Sequence, residues 1–167
     1  MFKSHIKITL ALLVCLSLLA GCGYRVIGKD SLPFTTVKIG RIKNTTPEPK
    51  LEDMFYTALA EEFLKRGITV TDSAENTIEG EINSFQLTIA AEKVGFATDY
   101  NITMSGDFVL KSIDGKKREL KGVKSPFYES VSAPDTVNDI VASKEVAAAG
   151  AIKRLAASLV FELMMSK

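Results

Sequence analysis

The clearest rhythm in the chain runs from Tyr100 to Leu110. Tyr100, Ile102, Met104, Gly106, Phe108 and Leu110 take one side, and Asn101, Thr103, Ser105 and Asp107 take the other. Successive side chains of a strand point to opposite faces, so this segment is a strand with one core face and one polar face. Val37 to Ile42 is a shorter strand with Val37 and Ile39 in phase. Ile78 to Ile89 is a third. Ile78, Gly80 and Ile82 share a phase, but Phe85, Leu87 and Ile89 fall out of it, which predicts a bulge near Ser84. Ala90 to Ala97 is expected to be a loop. Asp114-Gly115 turns the chain, and Lys116 to Val123 returns it as the fourth strand.

Helical spacing appears twice. Leu51, Met54, Phe55, Ala58, Leu59, Glu62 and Phe63 recur at three- and four-residue intervals and form one largely apolar stripe. Glu52 and Asp53 in the first turn, and Lys65 and Arg66 in the last, match the helix dipole. Gly67 suits the position just past the end. A second helix is predicted from Thr136 to Met165, with Val137, Ile140, Lys144, Ala148, Ala151, Ile152, Leu155, Leu159 and Leu163 along its stripe. Between the first strand and the first helix, Pro47 and Pro49 forbid both strand pairing and helix interior.

The element order is therefore β-α-β-β-β-α. An α+β two-layer sandwich follows, with a four-stranded mixed sheet and two helices on one face. The hairpin register can be argued as well. A two-residue Asp-Gly turn would set Leu120 on the polar face, whereas an odd-length loop restores it to the side of Phe108 and Leu110. A three-residue loop with Gly115 left-handed does this at low cost, and it gathers Lys111, Lys117 and Lys121 on the polar face.

The first residues read as an address. Lys3 and Lys7 precede an apolar run from Ile8 to Ala20 that is short for a membrane span but right for a secretory signal peptide. It ends Leu19-Ala20-Gly21-Cys22, which looks like a lipoprotein signal-peptidase site. Residues 1–21 are then a lipoprotein signal peptide and residues 22–36 a lipidated linker. Residues 37–167 form a single α+β domain. Cys22 is the expected lipidation site, which tethers the domain to a membrane facing the periplasm. By resemblance to known lipoprotein sorting, Gly23 in place of aspartate after it favours the outer membrane.

Composition narrows the chemistry. The 167 residues carry a net charge of +1, which offers no global field to recruit nucleic acid. His5, Cys15 and Cys22 are the only histidine and cysteines. A chain processed at Cys22 would lack the groups for Ser-His-Asp or Cys-His catalysis, for zinc binding and for structural disulfides. No cofactor, metal or catalytic residue is expected. The carboxylate pairs Glu52-Asp53 and Glu61-Glu62 are expected on the solvated face of the first helix. Tyr100 and Tyr128 are expected to pack at the core edge. The densest charge is Lys116-Lys117-Arg118 with Lys111, Lys121 and Lys124. Such a cluster can simply blunt a hairpin edge, or it can capture anionic groups such as phosphates.

Taken together, the pattern resembles the lipopolysaccharide-assembly lipoprotein (LptE) family. The resemblance rests on Cys22-Gly23-Tyr24-Arg25 and on Asn44, Thr46, Pro49, Leu51 and Glu52 after the first strand. It continues with Arg66-Gly67, with Ile78, Gly80 and Ile82, with Tyr100, and with the alanine-rich last helix. Ala74-Glu75-Asn76 and the lack of tryptophan depart from it. The resemblance implies a non-enzymatic plug inside the outer-membrane β-barrel LptD, which supports barrel assembly and delivers lipopolysaccharide to the outer leaflet. Its partners would be LptD, lipopolysaccharide and, through the anchor, the inner leaflet of the outer membrane. Lys111, Lys117, Arg118 and Lys121 are the candidate contacts to lipopolysaccharide or the barrel. An accessory lipoprotein of a secretion pore or envelope scaffold is the alternative.

Overall fold

The computed structural model describes residues 32–93, 96–125, 129–132 and 137–165. Cys22 and the expected signal peptide lie outside the described residues, as do the side chains of Tyr100 and Tyr128. Strand β1 (Thr36–Asn44) leads into helix α1 (Leu51–Lys65), which ends before Gly67 as the sequence indicates. Next come β2 (Thr69–Val70), β3 (Thr77–Lys93), β4 (Phe96–Lys111), β5 (Lys117–Lys124) and β6 (Glu129–Ser132). Helix α2 (Val137–Met165) closes the order.

The sheet is mixed, as expected, but it is wider than four strands. Five lie side by side in the order β2-β1-β3-β4-β5, with β1 parallel to both β2 and β3 and the rest antiparallel. β6 continues the β5 edge, pairing with Asp99–Ile102 of β4 while β5 pairs with Ser105–Lys111. Buried Ser125 joins the two: its N–H donates to the Met104 carbonyl at 2.9 Å, and its Oγ accepts from Met104 N–H at 3.1 Å. β2 and β6 are two and four residues long. No two-residue periodicity can show in segments so short, so the sequence pattern missed them.

The expected loop from Ala90 to Ala97 is also corrected. β3 runs on to Lys93 and β4 starts at Phe96, giving a long hairpin arm. The bulge expected near Ser84 is present, between Ile82 and Ser84.

A single core lies between the sheet and both helices. Val37, Ile39, Ile78, Ile82, Ile102, Met104, Phe108, Leu110, Leu120 and Val123 supply the sheet side. Leu51, Phe55, Leu59 and Phe63 of α1 and Ala148, Ala151, Ile152, Leu155, Leu159 and Leu163 of α2 supply the other. From Ala148 on, the α2 positions are those read from the spacing, joined by Ala147, Ala156, Val160 and Met164, which were not; Lys144 is half-buried and pairs with Glu48, and the side chains of Val137 and Ile140 lie outside the described residues. Leu32 is buried here too, with Phe34 packed beside it, so this part of the expected linker joins the core. Phe55 stacks on Phe108, with ring centroids 5.1 Å apart. Phe108 crosses two glycines. A Cβ on Gly80 would strike the Phe108 ring and the Asp107 carbonyl, and one on Gly106 would sit 2.6 Å from the Glu81 carbonyl. Only glycine leaves that ring its place.

The hairpin register follows the odd-loop argument. Phe108 pairs with Leu120, and Ser112 N–H donates to the Lys116 carbonyl at 2.9 Å, which leaves three residues to turn. Gly115 has φ +81°. Phe108, Leu110 and Leu120 are all buried under the helices.

Candidate ligand surface on the open sheet face

The face away from the helices is polar because strand parity makes it so. Glu79 and Glu81 of β3, Asp107, Val109 and Lys111 of β4, and Lys117, Glu119 and Lys121 of β5 line a shallow groove there. The groove has a volume of ≈ 470 Å3. Arg41 and Lys43 of β1 complete it. Their presence depends on an irregularity: the β1 register shifts between Ile39 and Ile42. The shift keeps Ile42 against the core and turns Arg41 and Lys43 to the open side. The sequence reading missed both basic residues. The signal was available, because Ile39 and Ile42 are three apart, a spacing that an unbulged strand cannot bury on one face.

The groove mixes signs. Lys111 Nζ lies 2.6 Å from Glu79 Oε2, and Lys121 Nζ lies 3.0 Å from Glu119 Oε2. The Glu119 hydrogen bond and charge, with a further contribution from Asp107, raise the Lys121 ammonium above the usual lysine range. Asp107 is occupied as an acceptor, taking 2.9 Å and 2.6 Å bonds from Asn83 Nδ2 and the Gly122 N–H. Beyond the groove, at the exposed tip, Lys116 pairs with Asp114 at 2.8 Å and holds that carboxyl below its usual range. Lys117, Arg41 and Lys43 make no ion pair among the described residues.

Arg118 does not belong with them. It pairs with Leu110 in the sheet and shares the helix-covered side. Its Nη2 donates to the Leu163 carbonyl at 2.6 Å, at the end of α2, where unpaired carbonyls and the helix dipole favour a cation. Partial burial lowers its pKa from the usual arginine value. The expected four-residue patch is therefore three lysines on one face and an arginine on the other. Neighbours in a strand alternate, and the run Lys116-Lys117-Arg118 concealed that alternation.

Of the α1 carboxylates expected on the solvated face, Asp53 is exposed, whereas Glu52 is half-buried with a buried Oε2 that meets no hydrogen-bond partner among the described residues. Glu61 is exposed, but Glu62 is buried within the α1 stripe, contrary to the solvated position expected of it. Arg66 Nη2 at 3.0 Å and Lys65 Nζ at 3.3 Å hold its two oxygens. These partners let a carboxylate occupy an otherwise apolar stripe. Among the described residues no group of three or more acidic, histidine or cysteine side chains could hold a metal ion. No described helix is long and apolar enough to cross a membrane.

A fold of this width with a charged, open sheet face can be set against known proteins. The family model described as "LptE: Lipopolysaccharide-assembly" matches residues 34–166, almost all of the described chain. The chain belongs to the LptE family. LptE family members are lipopolysaccharide-assembly lipoproteins rather than enzymes. No curated relative matches the sequence. Solved structures that share the fold include the following two. A minor lipoprotein from Acinetobacter baumannii is 13% identical with a TM-score of 0.53, covering 80% of this chain and 93% of that one. A protein from Xanthomonas campestris is 13% identical with a TM-score of 0.54, covering 84% and 91%.

Proposed function

We propose that this LptE family member is an outer-membrane lipoprotein, anchored through Cys22 and facing the periplasm, that acts as the plug of the LptD barrel. There it supports barrel assembly and hands lipopolysaccharide toward the outer leaflet. The observation that carries this reading is the open sheet face. It is a broad, charge-laced surface with no described helix over it, which suits a hydrated barrel lumen better than a protein core. Lys111, Lys117 and Lys121, joined by Arg41 and Lys43, supply the cations for lipid A phosphates or for acidic groups on the barrel wall. Lys117, Arg41 and Lys43 lead, because Lys111 and Lys121 must first give up their carboxylate partners.

The test is the double variant Lys43→Glu/Lys117→Glu. Each charge-assisted contact is worth roughly 1.5–3 kcal/mol when desolvated and much less when exposed. Lipopolysaccharide binding should therefore weaken by about tenfold or more at low salt, and the loss should shrink as salt screens the contacts. Thermal stability should hold, since changes at exposed positions stay within about 0.5 kcal/mol. Undiminished binding at low salt would make the groove a solvated sheet face and nothing more.

A further inference from the structure

The sheet guards most of its edges. β5 carries Lys117, Arg118, Glu119, Lys121 and Lys124, and its register shifts opposite Asp107, where Gly122 has φ +65°. β2 is only two residues long. Charges, bulges and short strands are the usual ways to stop an edge from pairing with another chain. The hairpin arm breaks this rule. β1 stops at Asn44, opposite Ile82, and the Thr45 N–H makes the last bond to the outer side of β3, at the Ile82 carbonyl. Beyond it, no described strand covers that edge. From Ser84 to Ala91 the arm reads Ser-Phe-Gln-Leu-Thr-Ile-Ala-Ala, with no charge. Leu87 is 44% exposed and Ile89 56% exposed, although each pairs with a strand on its other side. The base is firmly held: Lys144 of α2 lies over the Phe85 ring, 5.5 Å from its centroid, and pairs with Glu48 at 2.6 Å.

We propose that this edge is a self-association surface, on which a second copy of the chain adds its own β3 arm in antiparallel register to make one continuous sheet. A chargeless edge needs a chargeless partner strand that is apolar at alternate positions, and the arm itself is such a strand. A two-fold axis perpendicular to the sheet keeps side chains on their own faces only when paired residue numbers have an even sum. With the axis at Thr88, near the middle of the uncharged run, Thr88 sits against Thr88, and Leu87 of one copy lies against Ile89 of the other, twice. Threonine pairs and aliphatic pairs at such positions are both favourable. One strand pair is a small interface, so the dimer forms at protein concentrations of roughly tens to hundreds of micromolar. The inference stands apart from the lipopolysaccharide reading, and neither test depends on the other.

Sedimentation velocity of the full chain in density-matched detergent tests it. The expected result is a monomer–dimer equilibrium that Leu87→Lys weakens at least tenfold, with no loss of thermal stability. Val146→Lys, at a comparably exposed apolar site on α2, should leave the equilibrium unchanged. Mixing Leu87→Lys chains with Ile89→Glu chains should restore a dimer, because the register sets those two positions face to face. Monomer at every concentration, open-ended polymers, or a dimer indifferent to Leu87→Lys would each overturn the proposal. Failure of the mixed pair to associate while the parent dimerises would overturn the register.

Discussion

Lys117 and Arg118 are neighbours in the chain and have opposite fates. Lys117 stands on the open face with no ion pair among the described residues, whereas Arg118 reaches under the helices to bond the Leu163 carbonyl at 2.6 Å. The same comparison holds for the two faces of the whole sheet. One is closed by two helices over Phe108, Leu110 and Leu120, and the other is lined mostly by acidic and basic side chains. A basic run in a strand is thus two half-runs. The half on the open side stands at the groove, and the other half bonds the end of α2 and serves the fold.

The comparison can be broken from the core side with the largest effect. Gly80→Val would force a side chain into the space of the Phe108 ring and against the Asp107 backbone, which cannot yield as a flexible side chain would. A cost on the order of 3 kcal/mol is expected, lowering Tm by about 10 °C in a thermal melt. Next comes Arg118→Met. It keeps the aliphatic stem but removes the bond to the end of α2, so stability should fall by about 1–3 kcal/mol in urea while lipopolysaccharide affinity stays unchanged. Loss of affinity without loss of stability would return Arg118 to the ligand surface. The smallest effect belongs to Lys121→Ala. Its ion pair with Glu119 is solvent-exposed, with the lysine side chain 77% accessible, and solvent screens most of such a pair's attraction. The melting curve should barely move, and less still in high salt.

Much of this architecture was legible because periodicity reports burial. The α1 stripe, the α2 stripe from Ala148 to Leu163 and the alternation from Ile102 to Leu110 in β4 placed their residues correctly, and the parity argument set Leu120 opposite Phe108. Legibility failed where the period breaks or is too short to register. β2 and β6 have too few residues to show a pattern. The arm from Ala90 to Lys93 reads Ala-Ala-Glu-Lys, whose extended form comes from pairing with β4 and not from any hydrophobic phase. The bulge near Ser84 was readable from a phase change, and the equivalent irregularity between Ile39 and Ile42 carried the same signal without being recognised. That oversight hid Arg41 and Lys43, two of the five basic residues lining the groove. Glu62 misled for a different reason. A charge at a stripe position looks like the edge of the solvated face, but Arg66 one turn later neutralises it in place.

The central claim is that ligand and barrel meet the open face and never the helix-covered one. Site-specific photocrosslinking in intact cells, from a photoreactive residue placed at Lys117 or at Arg118, tests it across a single peptide bond. The account predicts lipopolysaccharide or barrel adducts from position 117 and none from position 118. Adducts from position 118 alone, or equally from both, would contradict it.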